Sequence, residues 1–109
     1  MFALNRATKV FVRTGATDMR LSFNGLYALV STVLRQDPLS GHLFTFCNRA
    51  RTRIKVLYFD GSGLWVCAKR LERGTFAWPQ DGQSEIDPTH LQALLTGFEI
   101  ESRQHWYRR

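Results

Sequence analysis

Residues 54–70 read IKVLYFDGSGLWVCAKR, two apolar runs joined by the polar segment DGSG at residues 60–63. Within the first run, Ile54, Val56 and Tyr58 occupy every second position. Alternation with a period of two, bounded by an Asp-Gly turn, is typical of a β-hairpin. This stretch therefore predicts two antiparallel strands with a tight turn between them.

The residues before the hairpin predict further strands. Residues 42–48 alternate in the same way, with Phe44 and Phe46 on one predicted face. Leu43 and Cys47 fall on the other face. The four predicted strands lie at residues 9–13, 42–48, 54–59 and 64–70. Because short connections join the last three strands, we expect an antiparallel meander.

A helix is predicted between the first two strands. Apolar residues recur at intervals of three and four from Met19 onward, which is the pattern of one helical face. Thr17 or Asp18 is the expected N-cap. Pro38 is the expected stop, because the residue before a proline avoids the helical conformation. Gly25 weakens a helix interior, and we expect it to allow close approach of another backbone.

The C-terminal part predicts a short second helix. Asp87 and Pro88 suit the N-cap and the first helical position, and Gly97 is the expected end. Residues 84–87 suit a short extended piece, and the aromatic segment FAWP at 76–79 is expected to reach across the edge of the core.

These elements predict an α+β fold with a small antiparallel sheet of three to four strands. The amphipathic helix is expected to cover one face of the sheet, leaving the other face open to water. A chain of 109 residues suits one domain. The domain is expected to span residues 1–101, followed by a mobile, basic and aromatic tail at residues 102–109.

The two cysteines and the apolar runs indicate the compartment. Cys47 and Cys67 are predicted to lie two strands apart, about 9–10 Å, which is too far for a disulfide bond. No apolar run is long enough to cross a bilayer, and the N-terminus lacks the apolar segment of a signal peptide. The expected location is the reducing cytoplasm, without membrane contact.

Charge is unevenly distributed along the chain. The net charge is +6, from 12 Arg and 3 Lys against 9 acidic residues. Residues 49–73 carry a net charge of +5 and residues 81–101 a net charge of −5. Arginine is the residue whose planar fork fits phosphate. This pattern favours contact with nucleic acid, which binds mainly through its phosphates.

The candidate nucleic-acid-binding residues lie within the basic segment. Because Arg49, Arg51, Arg53 and Lys55 are spaced by two, an extended backbone would place all four on one side. Lys69, Arg70 and Arg73 would extend this surface. Seven such cations predict a slope of log K against log salt of roughly −4 to −6. The alternative is a solvated edge strand, whose charges prevent aggregation.

Other chemistry has weaker support. Asp18, Asp60 and Glu72 form a conceivable metal-binding trio, but a helix cap, a turn residue and an ion-pair partner explain them better. The histidines lack metal-ligand spacing, and no P-loop or nucleophile motif occurs. We expect no catalysis, cofactor, metal or small-molecule ligand. Five aromatic residues could stack on bases if exposed, but core packing is their expected role: Tyr58, Phe59, Trp65, Phe76 and Trp78. Trp106 and Tyr107 are the expected exposed ones.

Several stretches together resemble one known family. They are TDMR at 17–20, SFNGL at 22–26, DPLSGHLF at 37–44, FCNRARTRIKVLYFDGSGLWV at 46–66 and KRLERGTFAWP at 69–79. The chain resembles the small accessory proteins, called TnpB or second open reading frame products, of bacterial insertion sequences of the sixty-six type. The resemblance implies an accessory role in transposition beside a separate transposase, and it supplies no catalytic residue.

Three hypotheses follow. The leading one is a non-catalytic factor that binds DNA at the transposon ends and acts with the transposase. The alternative is a protein-interaction adaptor that docks the transposase through residues 81–109, without contacting DNA. The third is a metal-dependent nuclease that uses the three carboxylates named above.

Overall fold

The computed structural model describes residues 7–96 and has an α+β fold, as the sequence predicted. Its helices and strands are β1 (Val10–Val12), α1 (Phe23–Thr32), β2 (Leu43–Cys47), β3 (Arg53–Phe59), β4 (Leu64–Arg70), β5 (Glu85–Ile86) and α2 (Pro88–Leu95). The five strands form one sheet in the order β4-β3-β2-β1-β5. No helix within the described range is long and apolar enough to span a membrane. The expected tail at 102–109 lies outside that range, so the domain limits stay predictions.

The β3–β4 hairpin forms where the sequence predicted it. Tyr58 pairs with Trp65 and Phe59 with Leu64. Gly61 has a φ of +101° at the first central position of the turn, which glycine adopts without strain. The Asp60 backbone N–H donates to the Gly63 carbonyl at 3.0 Å, closing the turn.

The sheet is antiparallel except at one pair of strands. β2, β3 and β4 form the predicted meander, and β5 runs antiparallel to β1. β1, however, runs parallel to β2, with Val10 opposite Leu43. The reason is the connection through α1, since parallel neighbours require a crossover and helices commonly supply it.

Both faces of the sheet are covered, so the expectation that one face stays open to water was wrong. On the first face, α1 buries Leu26 and Val30 against Phe44, Phe46 and Leu57. On the second face, the segment around Phe76 and helix α2 pack over side chains of the first three strands. This second cluster includes Val10, Val12, Leu43, Cys47, Ile54, Val56, Phe76, Leu91 and Leu94. The predicted aromatic segment and α2 provide this cover.

Helix α1 is shorter than the apolar pattern predicted. It begins at Phe23 after Ser22, so neither Thr17 nor Asp18 is its N-cap. Asp18 instead accepts the Arg20 backbone N–H at 2.9 Å and forms a local turn before the helix. This side-chain bond competes with helical hydrogen bonding, as aspartate commonly does.

Gly25 has a different role from the expected one. A Cβ atom at this position would lie 2.6 Å from Cδ2 of Leu21. The atoms closest to this position therefore belong to a side chain folded over the first helical turn, and not to another backbone. Leu21 packs with the α1 cluster from there.

Helix α1 also ends at Thr32, before the expected stop at Pro38, and the expected end of α2 at Gly97 lies outside the described residues. The predicted start of α2 and the separation of the two cysteines are confirmed. Asp87 caps α2 by accepting the His90 backbone N–H at 2.7 Å, and Pro88 is the first helical residue. Cys47 lies opposite Ile54, whereas Cys67 lies opposite Val56 on the other side of β3. The two thiols are therefore separated by a strand and form no disulfide bond with each other.

Candidate nucleic-acid interface

Two arginines face each other across the open end of the hairpin. Arg53 on β3 and Arg70 on β4 are directly paired, and both are exposed. Lys55, two positions further along β3, points to the same face and pairs with Ala68. Since residues of one parity share a sheet face, these three cations lie together on the face that α1 covers further along.

The three cations line a groove of about 460 Å³. Met19 from the turn before α1 and Glu72 from the bend after β4 also line it. The Glu72 carboxylate accepts a hydrogen bond from Arg70 Nε at 3.0 Å, and both side chains are exposed. Exposed ion pairs contribute little to stability, but the Glu72 carboxylate still lowers the net charge of the groove by one. Ile54 and Lys69 line the groove as well, although their side chains alternate to the opposite face. The groove, defined by Met19, Arg53, Ile54, Lys55, Ala68, Lys69, Arg70 and Glu72, is called the basic groove below.

Lys55 also has a structural task. Its Nζ donates to the Leu21 carbonyl oxygen at 2.7 Å, which ties the turn before α1 to the sheet. In that turn, the Arg20 side chain donates to Asp18 and lowers the pKa of this carboxyl to about 2, with a smaller contribution from Lys55. Because the pKa is lowered, the carboxylate interaction is present above about pH 4 and is lost as the pH falls through about 2.

The loop before β3 does not extend the shared face. Residues 49–51 form a turn, because the Asn48 side chain accepts the backbone N–H groups of Thr52 and Arg53 at 2.9 and 3.0 Å. Arg49 is exposed on this turn. The extended-backbone argument therefore holds for Arg53 and Lys55 and was wrong for Arg49 and Arg51.

Arg51 turns away from solvent. It has a φ of +62°, and its Nη1 atom is buried without a hydrogen-bond partner. Burial raises the pKa of the nearby Cys47 thiol, and the Arg51 guanidinium partly offsets this effect. Because its end is buried, Arg51 presents less of its charge to a partner than the sequence suggested.

Lys69 and Arg73, the two further candidates, do not belong to the row of cations that Arg53, Lys55 and Arg70 form on one face of the sheet. Lys69 pairs with Ile54 and so points to the opposite face, where its Nζ donates to the Leu95 carbonyl at the end of α2. A cation there complements the negative end of the helix dipole. Arg73 is exposed in the bend that follows β4.

The three carboxylates of the nuclease hypothesis do not converge. Asp18 binds Arg20, and Glu72 binds Arg70. Asp60 accepts bonds from Trp65, Ser62 and Gly63, which hold its pKa well below the usual value. Within residues 7–96, no group of three or more His, Cys, Asp or Glu side chains is placed to hold a metal ion.

One exposed aromatic residue was not expected. Trp65 is 55% exposed, although its position in an apolar strand indicated the core. The missed signal is its place on β4, which lies at the edge of the sheet, and Trp65 is not among the side chains that pack in the second cluster. Phe76 and Trp78 pack in the core as predicted, and Trp78 Nε1 donates to the Arg13 carbonyl.

Comparison with known proteins identifies the family. A family model described as IS66 Orf2 like protein matches residues 8–105. Uncharacterized protein y4hO of Sinorhizobium fredii is 38% identical over 110 residues, covering 99% of this chain and 96% of that protein. Uncharacterized protein y4jC of the same organism is 35% identical over 101 residues, covering 91% and 86%. No solved structure shows a significant match. The chain therefore belongs to the IS66 Orf2-like family of insertion-sequence accessory proteins.

Proposed function

We propose that the protein is a non-catalytic DNA-binding factor of insertion-sequence transposition, which contacts phosphates through the basic groove and acts in the cytoplasm beside a separate transposase. The family supports the accessory role. The observation that carries the DNA contact is the direct pairing of Arg53 with Arg70 on an exposed sheet face.

Electrostatics explain why this pair favours an anion. Like charges directly opposite each other on a sheet face destabilise the strand pair. Lys55 adds a third positive charge on the same face, and Glu72 is the acidic side chain that lines the groove. A phosphate between the arginines would relieve their repulsion and accept forked hydrogen bonds from both. The two arginines repel each other in the unbound protein, and both would attract a phosphate bound between them.

The variant Arg53→Gln tests this explanation, because it should change stability and binding in opposite directions. Removal of one charge should raise the free energy of unfolding by a few tenths of a kcal/mol. Duplex affinity should fall about five-fold at physiological salt, through the loss of one phosphate contact. Urea denaturation measures the first quantity and fluorescence anisotropy with a transposon-end duplex measures the second.

The matched control is Arg35→Asn, which removes one positive charge at the end of α1, outside the basic groove. Asparagine tolerates the φ of +58° found there. Affinity should change far less in this variant. If Arg53→Gln lowers stability and leaves affinity equal to that of the control, Arg53 has only a structural role and the proposal fails.

The geometry also revises the expected salt dependence. The three cations that share one face of the groove correspond to a slope of log K against log salt of about −3, instead of the −4 to −6 expected for seven. A steeper slope would indicate that Arg49, Lys69 or Arg73 adds further phosphate contacts.

The proposed partnership with a transposase can be tested with a C-terminal truncation that leaves the fold intact. Residues 81–96 contain β5, the edge strand of the sheet beside β1, and α2, which covers the second face of the sheet. Deletion from residue 81 would therefore damage the fold itself. A chain ending at Thr96 keeps every described element, and loss of co-purification with the transposase in that variant would place the docking segment at residues 97–109.

A further inference from the structure

The indole of Trp65 is exposed and held in one orientation. It is the most exposed of the large hydrophobic side chains at residues 7–96, with 55% of its surface accessible. Its Nε1 donates to Asp60 Oδ2 at 2.8 Å. The neighbour across the strand pair is another aromatic residue, Tyr58.

The anchor is itself rigidly held. Asp60 Oδ1 accepts the backbone N–H groups of Ser62 and Gly63, each at 2.9 Å, and the Ser62 hydroxyl at 3.0 Å. The carboxylate is therefore fixed within the turn, and its second oxygen fixes the ring. Preorganisation of this kind reduces the entropy lost when a partner stacks on the ring.

Among residues 7–96, no strand pairs with the outer edge of β4, which runs beside Trp65. The Leu71 N–H donates to the Thr52 carbonyl and the Asp60 N–H to the Gly63 carbonyl, so Thr52/Leu71 and Asp60/Gly63 are hydrogen-bonded pairs. Hydrogen-bonded and non-hydrogen-bonded pairs alternate along the two strands. In an antiparallel pair, alternate residues then direct their N–H and C=O groups away from β3. On β4 these residues are Leu64, Val66, Ala68 and Arg70, and no strand lies beyond them in the sheet of the described chain.

We propose that the β4 edge and Trp65 form a binding site for unpaired nucleotides, with one base stacked on the indole. This inference rests on the proposed DNA-binding function and adds single-stranded substrate to it. Arg70 lies about 16 Å from Trp65 along the strand and on the opposite face. A strand held at the basic groove would cross the β4 edge, where backbone N–H groups can donate to it, and place a base against Trp65.

Charge favours a nucleic acid over a protein as the occupant. The two charged residues of β4, Lys69 and Arg70, are both basic, and the groove beyond them is basic as well. Sites for single strands combine such a cationic groove with aromatic side chains on which bases stack. β4 therefore carries both parts of such a site, a cation of the basic groove at Arg70 and an exposed aromatic ring at Trp65.

The test compares a short oligothymidine strand with a duplex of mixed sequence, both labelled for anisotropy. Trp65→Ala should weaken binding of the single strand about ten-fold, because one stacked base is lost, and should leave duplex affinity unchanged. Trp65→Phe keeps a ring but loses the bond to Asp60, and should show an intermediate loss. Phe23→Ala is the matched control, since Phe23 is 47% exposed on α1 and lies outside the site.

A second readout does not depend on the alanine variant folding. Tryptophan fluorescence of the wild-type protein should be quenched by oligothymidine, and this quenching should disappear in Trp65→Phe, which retains Trp78 and Trp106. Equal losses for single strand and duplex in Trp65→Ala, or no loss in either, would overturn the inference. So would weaker capture of the transposase with unchanged strand binding, which would indicate a protein-docking role.

The two proposals fail in different ways. If the wild-type protein binds the duplex but not oligothymidine, only the single-strand site is wrong. If it binds neither at low salt, the DNA-binding function itself is wrong, and the single-strand site falls with it.

Discussion

The double variant Arg53→Glu/Arg70→Glu should bind a transposon-end duplex on the order of 100-fold more weakly than the wild-type protein at physiological salt. Two phosphate contacts are lost and two repulsive charges take their place. The effect should shrink as salt rises, because screening weakens the repulsion as well as the attraction. Anisotropy titrations at two salt concentrations measure both expectations.

This variant includes its own control for folding. Two glutamates opposite each other repeat the like-charge pairing of Arg53 and Arg70. Because the exposed Arg70–Glu72 ion pair is also replaced by a repulsion, the free energy of unfolding should fall, but by no more than about 1 kcal/mol. Retained affinity in a folded double variant would show that DNA binds elsewhere or not at all. A large loss of stability would mean that the two arginines hold the hairpin together in a way that their exposed positions do not indicate.

The largest effect on stability is expected from Phe44→Ala. Phe44 is fully buried on β2, in the middle of the sheet, and packs in the cluster that contains Leu26 and Val30. Its ring stacks on that of Phe11, with centroids 5.6 Å apart. Truncation of a buried phenylalanine destabilises a protein by about 3–5 kcal/mol. Since small domains have only about 5–15 kcal/mol in total, the midpoint of urea denaturation should fall sharply.

Phe23→Ala provides the comparison for this effect. The same side chain is removed, but from a position that is 47% exposed, so the loss should be well under that of Phe44→Ala. Similar losses for the two variants would contradict the assignment of the core between α1 and the sheet.

Local patterns predicted the parts of the fold that local interactions determine. The DGSG turn with flanking alternation specified the β3–β4 hairpin, and the Asp87-Pro88 pair specified the start of α2. The parallel pairing of β1 with β2 was missed, because pairing between strands separated by a helix leaves no local pattern. The start of α1 was misplaced because Asp18 bonds to its own local turn, which a pattern of apolar residues does not reveal.

The candidate site was predictable only in part for a similar reason. Alternation placed Arg53 and Lys55 on one face, since both lie in a regular strand. It failed for Arg49 and Arg51, because the Asn48 side chain folds the chain into a turn there. The pairing of Arg53 with Arg70 follows from the register of the hairpin, and its exposure depends on how far α1 extends over the sheet. That extent is a tertiary property.

Backbone amide shifts recorded while isotope-labelled protein is titrated with duplex DNA would locate the surface that contacts DNA. The largest shifts should cluster around the basic groove, at Arg53, Lys55, Arg70 and Glu72, and in the adjoining turn at Met19. Shifts that cluster instead on α2 and the 81–87 segment, with the groove unchanged at saturating duplex, would contradict DNA binding by the basic groove.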